Sequence, residues 1–173
     1  MGLFKSRKQK EQEQNLLNMQ NYLFGLQTSR LEKTPKQILN KATSYVNERR
    51  ERAVKAATKI NAADNPKSFF DALDSVNQVV AELEYLNNLA PGIVKIEEIK
   101  TTLFKDLPDD IDKMIDKSWE KHRLDALKVV KEDSKKKKLG QFFELMDIYK
   151  SKMYPQNIEH IERIRKEYEN LFA

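Results

Sequence analysis

An apolar stripe over residues 69–89 constrains this chain more than any other feature. After Asn65-Pro66, the residues Phe69, Leu73, Val76, Val80, Leu83, Leu86 and Leu89 recur at steps of three and four. That is the period of one helix face, not the alternation of a strand. Phe70 and Val79 widen the stripe beyond a two-helix seam, so the helix needs neighbours on more than one side. Asparagine followed by proline supplies an N-cap and a first helical residue, and Pro91-Gly92 closes the segment. Upstream, Ile38, Ala42, Tyr45, Val46, Ala53, Ala57 and Ile60 mark the inner face of another helix over 36–62. Only the short connection 62–65 joins the two, so they must return on each other as an antiparallel hairpin. Arg49 and Arg50 interrupt the inner stripe, which predicts one half-buried arginine with a packed stem and a paired head.

The same period recurs along the chain. Leu16, Met19, Leu23 and Leu26 predict a first helix, ended by Gly25 and Gln27-Thr28-Ser29, and Thr34-Pro35 opens the next. Ile93, Ile96, Ile99 and Leu103 predict a short fourth helix, with an extended segment as the alternative. Ile111, Ile115, Trp119, Ala126 and Val130 face inward on a fifth over 109–131. Leu139, Phe142, Met146, Tyr149 and Met153 do so on a sixth over 134–153. A seventh begins near Pro155 and uses Ile158, Ile161, Ile164, Tyr168 and Phe172. Glycine and proline together number only nine in 173 residues, too few turn formers for a sandwich or barrel. The predicted fold is all-α, six to seven helices packed as antiparallel hairpins in a helical bundle. Its domain is single and spans 15–173, with the hairpin core at 36–90 and the C-terminal helices at 109–172. Residues 1–14 are polar and charge-rich and read as a basic, flexible tail.

The net charge of +5 is concentrated. Lys5, Arg7, Lys8 and Lys10 form one basic run and Lys135, Lys136, Lys137 and Lys138 another; without both, the remainder carries −3. A nucleic-acid binder spreads cations over a face and interleaves aromatic or polar base readers, a pattern these runs do not follow. At the start of a helix cations oppose the dipole, so the second run reads as a solvated loop that could grip phosphates or an acidic protein. Phe142-Phe143 after it read as core plus one partly exposed ring. No apolar stretch reaches transmembrane length and no secretory leader is visible, so the expected location is cytoplasmic. Met1-Gly2-Leu3-Phe4-Lys5-Ser6 matches the short myristoylation pattern, with a mobile basic tail as the plainer reading.

Catalytic patterns are scarce. Cysteine is absent, which removes disulfides and thiolate chemistry. Gly2, Gly25, Gly92 and Gly140 are too scattered to cradle a phosphate. His122, one turn past Trp119, reads as a packed structural residue and His160 as a surface one; neither has the glutamate three residues earlier that a four-helix di-metal site uses. Asp109, Asp112 and Asp116 share a helix face and could gather a hard cation. Helix-end stabilisation explains the first two more simply. The expectation is therefore no enzyme, no cofactor and no metal.

Ile60-Asn61, Asn65-Pro66-Lys67-Ser68-Phe69-Phe70 and Leu83-Glu84-Tyr85-Leu86 together resemble a helical hairpin of uncharacterised proteins from Gram-positive bacteria and their phages or mobile elements. Ile111 to Lys117 with Trp119, Gln141-Phe142-Phe143 and Tyr154-Pro155-Gln156-Asn157-Ile158 extend the likeness over about residues 40–165. Asp71-Ala72-Leu73-Asp74 departs from the arginine and aromatic residue that many relatives place there. The resemblance implies a helical fold and a bacterial or phage origin, and carries no activity. The expected function is non-catalytic protein binding by an accessory or inhibitory factor. Nucleic-acid binding through the two basic runs is the second reading.

Overall fold

A computed structural model describes residues 7–26 and 35–172. The described chain is all-α and contains no strand. Its elements are α1 (Arg7–Leu26), α2 (Pro35–Asn61), α3 (Pro66–Leu89), α4 (Ile96–Phe104), α5 (Leu107–Leu127), α6 (Glu132–Tyr149) and α7 (Pro155–Leu171), with a 3₁₀ turn at Lys150–Lys152. Helices α2 and α3 form the expected hairpin. The Asn65 side chain accepts the backbone N–H of Ser68 at 3.0 Å, satisfying one of the donors a helix start leaves free. Phe69, Phe70, Leu73, Val76, Val80, Leu83 and Leu86 are all buried. Thr34, the expected cap of α2, lies outside the described residues.

The contacts group into two compact units. One comprises residues up to Lys55 together with Ser75–Thr102; the other comprises Ala56–Asp74 and the chain from Leu103 onward. In the first unit, Met19, Ala42, Leu83, Val76 and Leu86 form the centre. Asn87 Oδ1 accepts the backbone N–H groups of Gly92 and Val94 at 3.1 and 3.4 Å, and Gly92 takes φ +86°. Only glycine enters that region without strain. In the second unit, Ile111 and Ile115 of α5 and Phe142 and Met146 of α6 are buried. Trp119 packs 5.1 Å from the Phe142 ring, and Phe70 stacks on Tyr149 at 4.5 Å.

Several boundaries differ from the sequence expectation. Residues 7–14 belong to α1 and are not an irregular tail. Their Arg, Lys, Gln and Glu residues are strong helix formers that propagate a helix anchored by Met19 and Leu23. Segment 96–104 is helical, which removes the extended alternative. Helix α5 begins two residues early and stops at Leu127 instead of 131. The backbone N–H of Val129 closes onto Ala126 O at 3.1 Å, and the β-branched pair Val129-Val130 has low helix propensity. Val130, expected inside, is therefore 94% exposed in the connector. Lys131, with extended φ and ψ, leads directly into α6, whose first turn holds Glu132 and Asp133. Helix α6 in turn ends at Tyr149 and passes into the 3₁₀ turn, so Met153 is not helical.

Candidate functional site

The two basic runs have different fates. Lys5 lies outside the described residues, while Arg7, Lys8 and Lys10 lie on the first turns of α1, where Lys8 and Lys10 are exposed. Lys135 to Lys138 are inside α6 and not in a loop. The acidic residues preceding them offset the unfavourable dipole. At 100° per residue, four successive side chains sweep about 300° of the helix surface. The run is split accordingly: Lys135 and Lys138 are half-buried, and Lys136 and Lys137 are exposed. Phe142 and Phe143 are both buried, so no aromatic ring of that pair is free to stack on a base.

The α5 carboxylates serve different neighbours. Asp112 Oδ1 accepts from Asn157 Nδ2 at 2.7 Å, and the same nitrogen donates to Pro108 O at 2.8 Å. Asn157 Oδ1 accepts the Tyr154 backbone N–H at 3.1 Å. The side chain is 0% exposed and thus fastens the start of α7 to the first turns of α5. Asp116 lies 2.7 Å from His160 Nε2, and Arg163 reaches His160 Nδ1 at 3.2 Å. With the proton on Nε2, His160 donates to Asp116 and accepts from Arg163. His160 is therefore a bonded, 21% exposed residue of the α5–α7 contact, not the surface residue its position suggested. His122 Nδ1 bonds Ser118 O at 2.8 Å, and its ring meets Phe142 edge-on. Asp109, exposed at the start of α5, lines a recess of about 610 Å³ with Asp106, Asp110, Lys113 and Lys117. Lys113 pairs with Asp110 at 2.9 Å, which raises the affinity of its amine for a proton. Lys117 Nζ reaches toward Ala63 O at 3.5 Å.

The first unit contains a polar lock. Arg49 is the half-buried arginine, its side chain 16% exposed, and Arg50 is the exposed one. The Arg49 guanidinium lies 4.6 Å from the centre of the Tyr45 ring. Its Nε is 2.8 Å from Glu82 Oε2, and the contact is an ion pair, not a well-aligned hydrogen bond. Tyr45 OH also reaches Glu82, at 3.4 Å. Tyr22 of α1 meets the Tyr45 and Tyr85 rings edge-on at 6.3 and 5.0 Å. Burial, then hydrogen bonding to Tyr45, then the Tyr45 and Glu82 charges push the Tyr22 phenol well above its ordinary pKa, against the pull of Arg49. Three helices are thereby fixed around one charged pair.

Among the described residues, exposed aliphatics lie close together on α2 and at the end of α5. On α2, Leu39, Thr43, Asn47, Arg50 and Val54 fall within about 80° of arc at 100° per residue. Leu39 and Val54 are about half exposed, and a groove of about 430 Å³ passes Asn47, Arg50, Glu51, Val54 and Lys55. At the end of α5, Leu124 is 51% exposed and Leu127 76%. They precede the protruding Val130. Periodicity alone missed this corner because it assumed that the helix continues. The Val-Val pair before Lys131-Glu132-Asp133 was the available signal. The chain matches no family model, no curated protein and no solved structure. Among the described residues, no helix is long and apolar enough to cross a membrane.

Proposed function

We propose that the protein is a non-catalytic protein-binding factor, with an accessory or inhibitory role in a bacterium, phage or mobile element. The observation that carries this reading is the outer stripe of α2. It combines the half-exposed aliphatics Leu39 and Val54 with Asn47 and Arg50 beside a groove. The Tyr22–Tyr45–Arg49–Glu82 lock holds the opposite side of the same helix. A face fixed in advance loses little conformational freedom when a partner docks. The origin rests on the resemblance of the 60–86 hairpin.

Affinity capture from the producing cell, with the wild-type chain and with a Leu39→Glu/Val54→Glu variant, tests the reading. A protein retained by the wild type and lost by the variant is the expected result. Recovery of nucleic acid alone, or of the same proteins with both chains, would overturn it. The exposed Lys8, Lys10, Lys136 and Lys137 support the second reading, nucleic-acid binding. Four such contacts would give duplex DNA affinity a log–log salt slope of about −3.6.

A further inference from the structure

We infer that the corner between α5 and α6 is a docking surface for an anionic lipid bilayer, with Leu127 and Val130 entering the headgroup region. This corner lies wholly within the second unit, apart from the α2 stripe. Three large aliphatic side chains occur at steps of three, and their exposure climbs from 51% at Leu124 through 76% at Leu127 to 94% at Val130. None of the described residues covers them, and their exposure to water is unfavourable in proportion to apolar area. Around them, residues 121–138 contain seven lysines and one arginine against Asp125, Glu132 and Asp133. That stretch alone carries +5, the net charge of the whole chain, so the rest of the protein is neutral.

The field at the tip stays positive after pairing: with the Lys128–Asp125 and Arg123–Glu120 ion pairs set aside, Lys121, Lys131 and Lys135 to Lys138 stand against Glu132 and Asp133, a net +4. Asp125 is paired with Lys128 at 2.7 Å, and Glu132 and Asp133 occupy the first turn of α6, where the helix dipole stabilises them. Val130 itself is followed directly by the exposed Lys131. Exposed aliphatics bordered by lysines combine the two attractions a peripheral membrane protein uses: apolar insertion and attraction to acidic headgroups. A protein interface centre would instead favour aromatic residues and arginine and be poor in lysine. Nucleic acid would use the lysines but has no use for three aliphatics, and the neighbouring Trp119, Phe142 and Phe143 are buried. No spanning helix is required.

Flotation of the full chain with phosphatidylcholine vesicles, with or without 30% phosphatidylglycerol, provides the test. Binding should require phosphatidylglycerol, weaken as salt rises, and fall about fivefold for Lys131→Ala, the effect of one surface lysine. Leu127→Ser/Val130→Ser should lower partitioning about tenfold or more through loss of apolar insertion. All three positions are exposed, and unchanged Trp119 fluorescence confirms that the variants fold. Equal binding to both vesicle types, no binding to either, or indifference to the double serine variant overturns the inference. So does tighter binding to a 20-base-pair duplex than to vesicles with no effect of that variant, which would point to phosphates alone. A Leu39→Glu/Val54→Glu chain should float like the wild type, so failure of the protein-binding reading and failure of this one are separable.

Discussion

Replacing Asn157 tests the central polar contact of the second unit. Its side chain is fully buried and makes three hydrogen bonds: one accepted from Tyr154 N–H and two donated, to Pro108 O and Asp112 Oδ1. A net neutral hydrogen bond contributes about 0.5–1.5 kcal/mol and one to a charged group about 1.5–3. The sum is an upper bound, because Asp112 is only half-buried and water can replace part of its bond. Asn157→Ala should therefore destabilise the second unit by about 2–4 kcal/mol. Asn157→Asp should cost more at neutral pH. It cannot donate to Pro108 O, and it sets a second carboxylate within hydrogen-bonding distance of Asp112. Urea unfolding followed by Trp119 fluorescence is the appropriate assay. Trp119 is the only tryptophan and packs against Phe142 within this unit. A loss below about 0.5 kcal/mol for Asn157→Ala, smaller than one net hydrogen bond, would refute the reasoning. An Asn157→Asp chain more stable than the alanine variant would do the same.

Two further outcomes concern the first unit. Leu83 is fully buried at its centre, so Leu83→Ala should cost about 2–5 kcal/mol in urea unfolding followed by circular dichroism, and a loss under half a kcal/mol would mean that its stripe is not core. The Tyr22 phenol has a raised pKa in the folded chain, so the folded state keeps a proton that the unfolded state releases near pH 10. Its contribution is complete below pH 10 and is lost as pH rises further. Spectrophotometric titration should show one late-ionising tyrosine, absent in Tyr22→Phe, whose stability should also decline less above pH 10.

Apolar spacing alone gave the all-α class, a count of six to seven helices and nearly every buried face. That segment 96–104 is helical and not extended came from the structure. Phe69 through Leu86 are inside because a three–four step puts them on one side of a helix, whatever the helix packs against. Asn65-Pro66 likewise marked the start of α3 through purely local chemistry, a side-chain cap followed by a residue with fixed φ. Arginine burial was legible only as a choice between Arg49 and Arg50. Which one turns inward depends on Glu82, 33 positions away and placed by the return of α3.

Where polar residues find partners was decided by tertiary structure. Asn157 read as one polar residue of the Tyr154–Ile158 resemblance, and His160 as a surface residue. Both became helix-to-helix bonds because α7 lies along α5 and brings Asp112 and Asp116 within 2.7 Å of them. A repeat of 3.6 residues identifies the side of a helix that faces inward, but not which distant side chain waits there. The exposed corner depends on a balance of the same kind. Val130 continues the period of α5 in sequence, yet the helix stops at Leu127. Local propensity identifies the valine pair as a weak point, and only the start of α6 at Glu132 determines that the chain turns there and leaves Leu127 and Val130 in water.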